Sequence, residues 1–299
     1  MKESGYKSGF FSIIGCPNVG KSTLLNNLVG QKIAIVTDRA QTTRNRITGV
    51  LTGKDYQMIF LDTPGMTEPK NRLGQYMQKV AENASIDTEA AIVVFDAIQG
   101  IRSRDQIILD RLKHINTSKI AILNKIDAVK PEVLKEHHNN LEETGLFDHV
   151  LDISAINGSG VDQLVEILKS YLVEGPQYYP DDMVTDQPER AIVAEMIREK
   201  ALILLKDEVP HGIGVETEKM EMRPDGKLMD IWATIFCERE SHKGIIIGKG
   251  GKMLKQIGTE ARKDIEWLLD VRVNLQLWIK VKDDWRNRQQ MLNELGYKE

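Results

Sequence analysis

A glycine-rich segment near the start of the chain has the residue types needed to hold phosphate. Gly15–Ser22 reads GCPNVGKS and fits the pattern G-x-x-x-x-G-K-[ST], between a strand-like apolar stretch and a helix-like stretch. Glycines let backbone N–H groups turn towards phosphate oxygens, and the N-terminus of the following helix adds the positive end of its dipole. Lys21 would then reach the β- and γ-phosphates, and Ser22 would ligate Mg²⁺. An ordinary glycine turn is the alternative. The pattern predicts a nucleotide site that includes Gly15, Asn18, Val19, Gly20, Lys21, Ser22 and Thr23.

A second motif, Asp62-Thr63-Pro64-Gly65, follows another strand-like run. Behind a phosphate loop, an aspartate at this place holds Mg²⁺ through its water shell, and the backbone N–H of Gly65 senses a γ-phosphate. A threonine of the polar segment 41–44 would complete the metal shell, and both Thr42 and Thr43 fit this role. A plain turn and a plain polar loop are the alternatives. We expect Lys21, Thr43, Asp62 and Gly65 to act in catalysis, and Ser22, Thr43 and Asp62 to hold the metal.

A third motif, Asn124-Lys125-Ile126-Asp127, also follows a strand-like run. The carboxylate of Asp127 only accepts hydrogen bonds, so it pairs with the N1–H and the exocyclic N2 amine of guanine, and adenine has neither of these donors. The stem of Lys125 can lie along the base, and the backbone of 154–156 offers N–H groups to the guanine oxygen. A helix cap is the alternative, but the position at a strand end favours a guanine site. Its predicted residues are Asn124, Lys125, Asp127, Ser154, Ala155 and Ile156.

The elements around these motifs alternate in type. Strand-like runs cover 10–14, 56–61, 90–97, 119–123 and 149–153, and helix-like stretches lie near 21–29, 74–83, 104–113, 133–144 and 161–172. Such alternation predicts an α/β fold with a doubly wound, mostly parallel sheet and right-handed crossovers. Each motif then falls at the carboxyl end of a strand, where ligands bind in these sheets.

The second half of the chain has a different pattern. Residues 174–190 contain three prolines and an acidic run, which indicates a linker between a domain at 1–173 and one at 191–299. The order that follows is helix, strand, strand, helix, Gly-Lys-Gly-Gly, helix, strand, which predicts a smaller α+β domain. Residues 241–263 carry six Lys and Arg against one Glu, a local charge of +5, in a chain whose net charge is −4. This concentration favours a phosphate-binding face over a merely solvated helix.

Composition narrows the class of protein. The chain has 299 residues, 41% of them hydrophobic and 28% charged, which is typical of soluble globular proteins and long enough for two domains. Its two cysteines form no disulfide or zinc pattern, which fits a reducing compartment. The N-terminus lacks the apolar core of a signal peptide, and no apolar run approaches the ~20 residues of a membrane helix. We therefore expect a cytoplasmic protein.

Taken together, GCPNVGKS, QTTR, DTPG, NKID and SAI resemble the motifs of translation-factor-type P-loop GTPases, and GKGG resembles the G-x-x-G loop of a type II KH domain. Their combination resembles the Era family of bacterial GTPases across almost the whole chain. The resemblance implies GTP hydrolysis to GDP with Mg²⁺. It also implies binding to 16S ribosomal RNA near its 3′ end, assistance in 30S subunit assembly, occasional peripheral membrane association and a monomeric state.

The resemblance also sets finer expectations. Met66 stands where the Ras branch has a water-orienting glutamine, so turnover should be slow without a partner. In some relatives an asparagine at the place of Asn18 is associated with a potassium ion. The positions of Trp232, Trp267 and Trp278 within strand-like and helix-like stretches predict that they lie in the core, whereas Trp285, beyond the last strand, is expected to extend the RNA surface. The predicted RNA contacts are Lys243, Ile245, Ile246, Gly248, Lys249, Gly250, Gly251, Lys252 and Lys255.

Two other function classes remain open at this point. The KH-like half could dock a protein instead of RNA. The chain could also be an RNA-modification GTPase, although the sequence offers no additional catalytic constellation for that chemistry.

Overall fold

The structure, a computed structural model, describes residues 5–39, 41–65, 69–83 and 88–297, so Met66 lies outside it. The chain divides into two compact units. The first takes in the described residues up to 36, from 43 to 65 and from 77 to 186, and the second takes in those of 37–42, 69–76 and 187 onwards. No helix in the described ranges is long and apolar enough to cross a membrane.

The first unit is built on a mixed sheet with the strand order β2-β3-β1-β4-β5-β6. All neighbouring strands in this order are parallel except β2, which runs antiparallel to β3, and a short β7 pairs antiparallel with β1. Its elements are β1 (Lys7–Gly15), α1 (Lys21–Val29), β2 (Ile47–Thr52), β3 (Tyr56–Asp62), α2 (Arg72–Asn83), β4 (Ala90–Asp96), α3 (Ser103–Leu112), β5 (Ser118–Asn124), α4 (Pro131–Glu143), β6 (His149–Ile153), α5 (Val161–Lys169) and β7 (Val173–Glu174).

Burial explains why the central strands read as unbroken apolar runs. Every residue of β4 is buried, because helices cover both faces of a doubly wound sheet. Helix α1 packs against this core with Leu24, Leu25 and Leu28, and it ends at Gly30, whose φ of 72° is left-handed. The phosphate loop is thereby fixed between two well-packed elements.

The edge strand β2 is one of the elements that the sequence pattern did not reveal. Gly49 interrupts its apolar alternation, which is why the strand resembled a polar connection. The structure gives the glycine a packing role, since a Cβ there would lie 2.5 Å from the Cδ1 of Leu25. Glycine at this position lets α1 approach the strand closely.

Part of the proline-rich segment 174–190 is anchored to the first unit. The backbone N–H of Val50 donates to the carbonyl of Val184 at 2.8 Å. The buried side chain of Gln57 accepts from the backbone N–H groups of Tyr178 and Tyr179 at 2.9 and 3.0 Å and donates to the carbonyl of Tyr179 at 2.9 Å. These bonds place the segment along the edge of the sheet, and the units divide between 186 and 187.

The second unit packs helices on a three-stranded sheet with the order β10-β9-β8. Strands β8 and β9 form an antiparallel hairpin, whereas β9 and β10 are parallel. The apolar faces of α6 and α8 meet this sheet in a separate core. The elements are α6 (Glu189–Leu204), β8 (Gly214–Met222), β9 (Leu228–Cys237), α7 (Glu240–Ile247), α8 (Lys252–Leu269), β10 (Arg272–Val281) and α9 (Gln289–Glu294).

Candidate functional sites: a nucleotide pocket and a nucleic-acid groove

The loop between β1 and α1 has the backbone that a phosphate cradle requires. Gly20 has φ of 102°, and a Cβ there would lie 2.1 Å from the Nδ2 of Asn124, so only glycine fits. The buried Nζ of Lys21 donates to the carbonyls of Gly15 and Cys16, both at 3.1 Å. An ammonium has three protons, so one remains to meet a phosphate oxygen. Burial lowers the pKa of Lys21, and the nearby carboxylate of Asp62 opposes that shift.

Three oxygen-bearing side chains meet beside this loop. The Oγ of Ser22 donates to Asp62 Oδ2 at 2.7 Å and lies 2.8 Å from the Oγ1 of Thr43. Asp62 is fully buried, and its Oδ1 has no hydrogen-bond partner in the described part of the chain. Burial raises the pKa of Asp62 to about 6, against the opposing effects of Lys21 and of hydrogen bonds from Ser22 and the Thr63 backbone. Hard oxygen donors with one unsatisfied carboxylate oxygen fit Mg²⁺.

The geometry also separates the two candidate threonines. The hydroxyl of Thr42 bonds to the carbonyl of Arg39 and to the Oγ1 of Thr37, both at 2.7 Å, rather than to Ser22. Of the two, it is Thr43 that lies against Ser22. The structure therefore favours Thr43 over Thr42 as the threonine of the predicted metal site.

Gly65 lies against the phosphate loop, at the end of the segment that follows β3. A Cβ on Gly65 would lie 2.8 Å from the backbone N of Pro17, so the close approach depends on glycine. Its backbone N–H is thus held near the loop where a γ-phosphate would bind.

Asn124 and Asp127 form the two ends of the predicted base site. Asn124 is buried, donates from Nδ2 to the Val19 carbonyl at 2.8 Å and accepts the N–H of Ala155 at 2.9 Å. Asp127 is exposed, and its Oδ1 accepts from the hydroxyl of Ser154 at 2.5 Å. Ser154 therefore orients the carboxylate that would face a base. Ile156 is 78% exposed, so its backbone is accessible beside them.

Lys125 lies between the base site and the phosphate loop. It has a left-handed φ of 72°, and its Nζ donates to the carbonyl of Asn18 at 2.7 Å and to the carboxylate of Asp96 at 2.8 Å. Sequence reasoning missed Asp96. Its position in the sequence could have indicated a role in the site, because Asp96 is the last residue of a buried strand, as Asp62 and Asn124 are.

A groove in the second unit is lined by two of the residues predicted to bind RNA, Gly251 and Lys255. The loop Gly248–Gly251 joins α7 to α8, and three of its residues, Gly248, Gly250 and Gly251, have left-handed φ of 70°, 59° and 75°. A groove of about 420 Å³ opens beside the start of α8. Its lining combines apolar surface, hydroxyl and cationic groups from Gly251, Leu254, Lys255, Gly258, Thr259, Arg262, Leu275 and Leu277. Lys249, Lys252 and Lys255 are exposed, and Lys243 is partly exposed.

Several apolar side chains of the second unit differ from expectation. Ile245 is 50% exposed and available as a platform, but Ile246 is fully buried in the core and its side chain cannot contact RNA directly. Trp267 and Trp278 were expected in the core and are 67% and 44% exposed. Trp285 was expected on the RNA surface, but it is fully buried and donates from Nε1 to the carbonyl of Gly212 at 2.9 Å. Periodicity assigned Trp267 and Trp278 to a helix and a strand but did not give the face that packing covers, and the sequence indicated no contact for Trp285.

Comparison with known proteins finds matches for both halves of the chain. A family model described as 50S ribosome-binding GTPase matches residues 10–125, and a KH domain model matches residues 208–286. The chain is 52% identical over 292 residues to GTPase Era of Alkaliphilus metalliredigens, an alignment that covers 98% of this chain and 99% of the relative. It is 50% identical over 293 residues to GTPase Era of Clostridioides difficile, with the same coverage of both chains.

Two solved structures cover the same span. The crystal structure of a single-residue variant of Aquifex aeolicus Era bound to GDP·AlF4⁻ has a TM-score of 0.94 at 39% identity and covers 98% of this chain and 100% of that chain. A crystal structure of Era in complex with MgGDPNP and nucleotides 1506–1542 of 16S ribosomal RNA has a TM-score of 0.93 at 40% identity, with the same coverage. The expected P-loop GTPase fold followed by a KH domain is confirmed.

Proposed function

The chain belongs to the Era family of GTPases, and on that premise we propose that it is a GTP-hydrolysing switch that binds the 3′ end region of 16S ribosomal RNA and assists assembly of the 30S subunit. The observation that carries this proposal is the meeting of the Ser22, Thr43 and Asp62 oxygens beside a buried Lys21. A nucleotide site of this kind and a glycine-turn groove in one chain support a nucleotide-controlled RNA binder.

Different residues of the first unit bind the phosphates of GTP and the metal ion. Lys21 and the loop N–H groups bind the phosphates, and the N–H of Gly65 contacts the γ-phosphate. Ser22, Thr43 and Asp62 would hold Mg²⁺, which neutralises charge on the β- and γ-oxygens when it is bound. None of these side chains is a free general base for the attacking water, because Asp62 accepts from Ser22 and its other oxygen would face Mg²⁺ when the metal is bound. Slow turnover in the absence of RNA follows from this arrangement.

Guanine selection rests on the carboxylate of Asp127. Its position at an exposed edge leaves room for a base to cover it, and Ser154 fixes one of its oxygens. Adenine would present no donor pair to it, so ATP should bind far more weakly than GTP.

RNA binding is assigned to the groove beside the Gly248–Gly251 loop. The test is filter binding of the full chain to a fragment of the 3′ end of 16S ribosomal RNA, with GTP, with GDP and without nucleotide, over a series of salt concentrations. Affinity should fall steeply as salt rises, by a log–log slope of about −0.7 for each phosphate contact. An affinity that does not change with salt would contradict the proposal and favour a protein partner for this groove.

Three finer parts of the proposal have their own tests. Potassium is proposed to bind near Asn18, whose φ of 65° is left-handed, and GTP turnover should be faster in potassium than in sodium buffer.

Peripheral membrane association predicts co-sedimentation with lipid vesicles. A monomeric state predicts a single species of 33.9 kDa by light scattering.

A further inference from the structure

An aspartate outside all of the sequence motifs contacts the lysine of the base site. Asp96 ends β4, is 4% exposed, and its Oδ2 accepts from the Nζ of Lys125 at 2.8 Å. Its Oδ1 accepts the backbone N–H of Ile98 at 2.9 Å, which fixes the plane of the carboxylate. A buried carboxylate is costly unless it is paired, and Lys125 is the cation that pairs with it.

The same ammonium reaches the phosphate loop. Lys125 Nζ also donates to the carbonyl of Asn18 at 2.7 Å. The left-handed backbone of Lys125 begins the 3₁₀ turn Ile126–Ala128, which carries Asp127. One side chain, anchored by Asp96, therefore joins the turn that would select the base to the loop that would hold the phosphates.

We propose that Asp96 is a positioning residue of the nucleotide site, which acts through Lys125 to hold the base-binding turn against the phosphate loop and so slows nucleotide release. The inference rests on the proposed nucleotide role of Lys125. Without the carboxylate, the long and flexible side chain of Lys125 keeps, among the described residues, only the neutral carbonyl of Asn18 as a partner. The turn that carries Asp127 is then held less firmly, and a bound nucleotide leaves faster.

Asp96→Asn tests this directly, because it keeps the shape of the side chain and its bond to Ile98 while removing the charge. Release of a fluorescent GDP analogue from the full chain should become about tenfold faster, the size expected from loss of one charge-assisted hydrogen bond. A release rate equal to that of the wild type would overturn the inference. A wild-type protein that binds no GDP would instead refute the proposed function, so the two failures are distinguishable.

A double-mutant cycle separates positioning from a general structural role. Lys125→Met alone should speed GDP release and leave the Asp96 carboxylate buried without its partner. Adding Asp96→Asn to Lys125→Met should then cause no further acceleration, because the residue acts only through the lysine. Additive effects on release would overturn the inference. If Asp96→Asn alone does not fold, Lys125→Met is compared with the double variant. Equal rates of GDP release from these two proteins support the inference, and faster release from the double variant overturns it.

Asp148→Asn, at an exposed aspartate, is the control for the change in charge. Asp148 immediately precedes β6, and its Oδ2 accepts the backbone N–H of Lys119 at 2.8 Å, as Asp96 does with Ile98. It lies at the amino ends of the strands, opposite to the nucleotide site. The control has the same change in charge, and it should release GDP at the wild-type rate; equal acceleration by the control and Asp96→Asn would contradict the specific role of Asp96.

Discussion

Asn124 donates its side-chain N–H to the backbone carbonyl of Val19 at 2.8 Å, across a separation of 105 residues in sequence. Its side-chain oxygen accepts the N–H of Ala155 at 2.9 Å, so the buried amide is bonded on both sides. The phosphate loop and two base-site loops are therefore joined through one side chain. The sequence placed Asn124 in the predicted guanine site, and the structure supplies its partners.

Asn124→Ala should damage both stability and binding. It leaves the Val19 carbonyl and the Ala155 N–H without their partner, and each buried group left unpaired costs about 1–3 kcal/mol. We expect a lower melting temperature and GDP affinity weakened at least about tenfold, measured by thermal denaturation and fluorescence titration. Asn140→Ala, at an exposed position on α4, is the control and should change neither.

A pair of threonine variants tests the metal site. Thr43→Ala removes the hydroxyl that lies beside Ser22, so GTP hydrolysis should fall by about tenfold or more and require higher Mg²⁺ concentrations. Thr42→Ala removes a hydroxyl bonded to Thr37 and the Arg39 carbonyl and should leave the Mg²⁺ dependence unchanged. Magnesium titrations of phosphate release compare the two variants. The reverse ranking would show that the assignment of Thr43 is wrong.

Asp127→Asn should change the base preference. The variant amide can keep its oxygen towards Ser154 and present its NH₂ group to the base, where xanthine has a carbonyl at C2 and guanine has an amine. GTP affinity should fall by about 10- to 100-fold while xanthosine triphosphate binding improves. Competition binding with the two nucleotides measures the shift, and unchanged preference for GTP would remove the argument for guanine.

Much of the fold could be predicted because local patterns and packing agree in the parallel sheet. Strands buried on both faces leave continuous apolar runs, and the chemical motifs follow directly at their carboxyl ends, as with Asp62 and Asn124. The edge strand β2 was missed because Gly49 interrupts its apolar pattern. This glycine allows α1 to pack closely against the strand, and the sequence of 47–52 does not reveal that tertiary contact.

The site was predictable only where the chemistry lies within one short motif. Asp96 was missed because its partner, Lys125, is 29 residues away, and the sequence does not give that pairing. Ile246 and Trp285 were assigned to the RNA surface from their neighbourhood, whereas packing buries both. Sequence spacing identifies which residue types lie near a ligand, but tertiary contacts decide which side chains face it.

Adjacent isoleucines in α7 give a matched test of the RNA groove. Ile245 is 50% exposed, so Ile245→Ala should weaken binding to the ribosomal RNA fragment with little effect on stability. Ile246 is fully buried, so Ile246→Ala should lower the free energy of unfolding by about 2–5 kcal/mol. Urea denaturation and filter binding, both below the melting temperature of the weaker variant, distinguish the two effects. If Ile246→Ala folds and weakens RNA binding while Ile245→Ala does not, the assignment of Ile245 to RNA contact and of Ile246 to the core is wrong.

Cys16 lies inside the phosphate loop, yet it should be inert. Burial, followed by a hydrogen bond to Asp105, raises the pKa of its thiol to about 12, and burial also raises the pKa of Cys237. Because the thiolate is the reactive form, fewer than about one Cys16 in a thousand is reactive at pH 8. A thiol reagent at that pH should label neither cysteine in the native protein and both after unfolding in guanidinium. Since the loop binds phosphate through its backbone, Cys16→Ala should also retain GDP affinity. Two results together would contradict the prediction: rapid labelling of Cys16 in the native protein, and suppression of that labelling by GDP. They would require a thiol that is exposed to the nucleotide pocket.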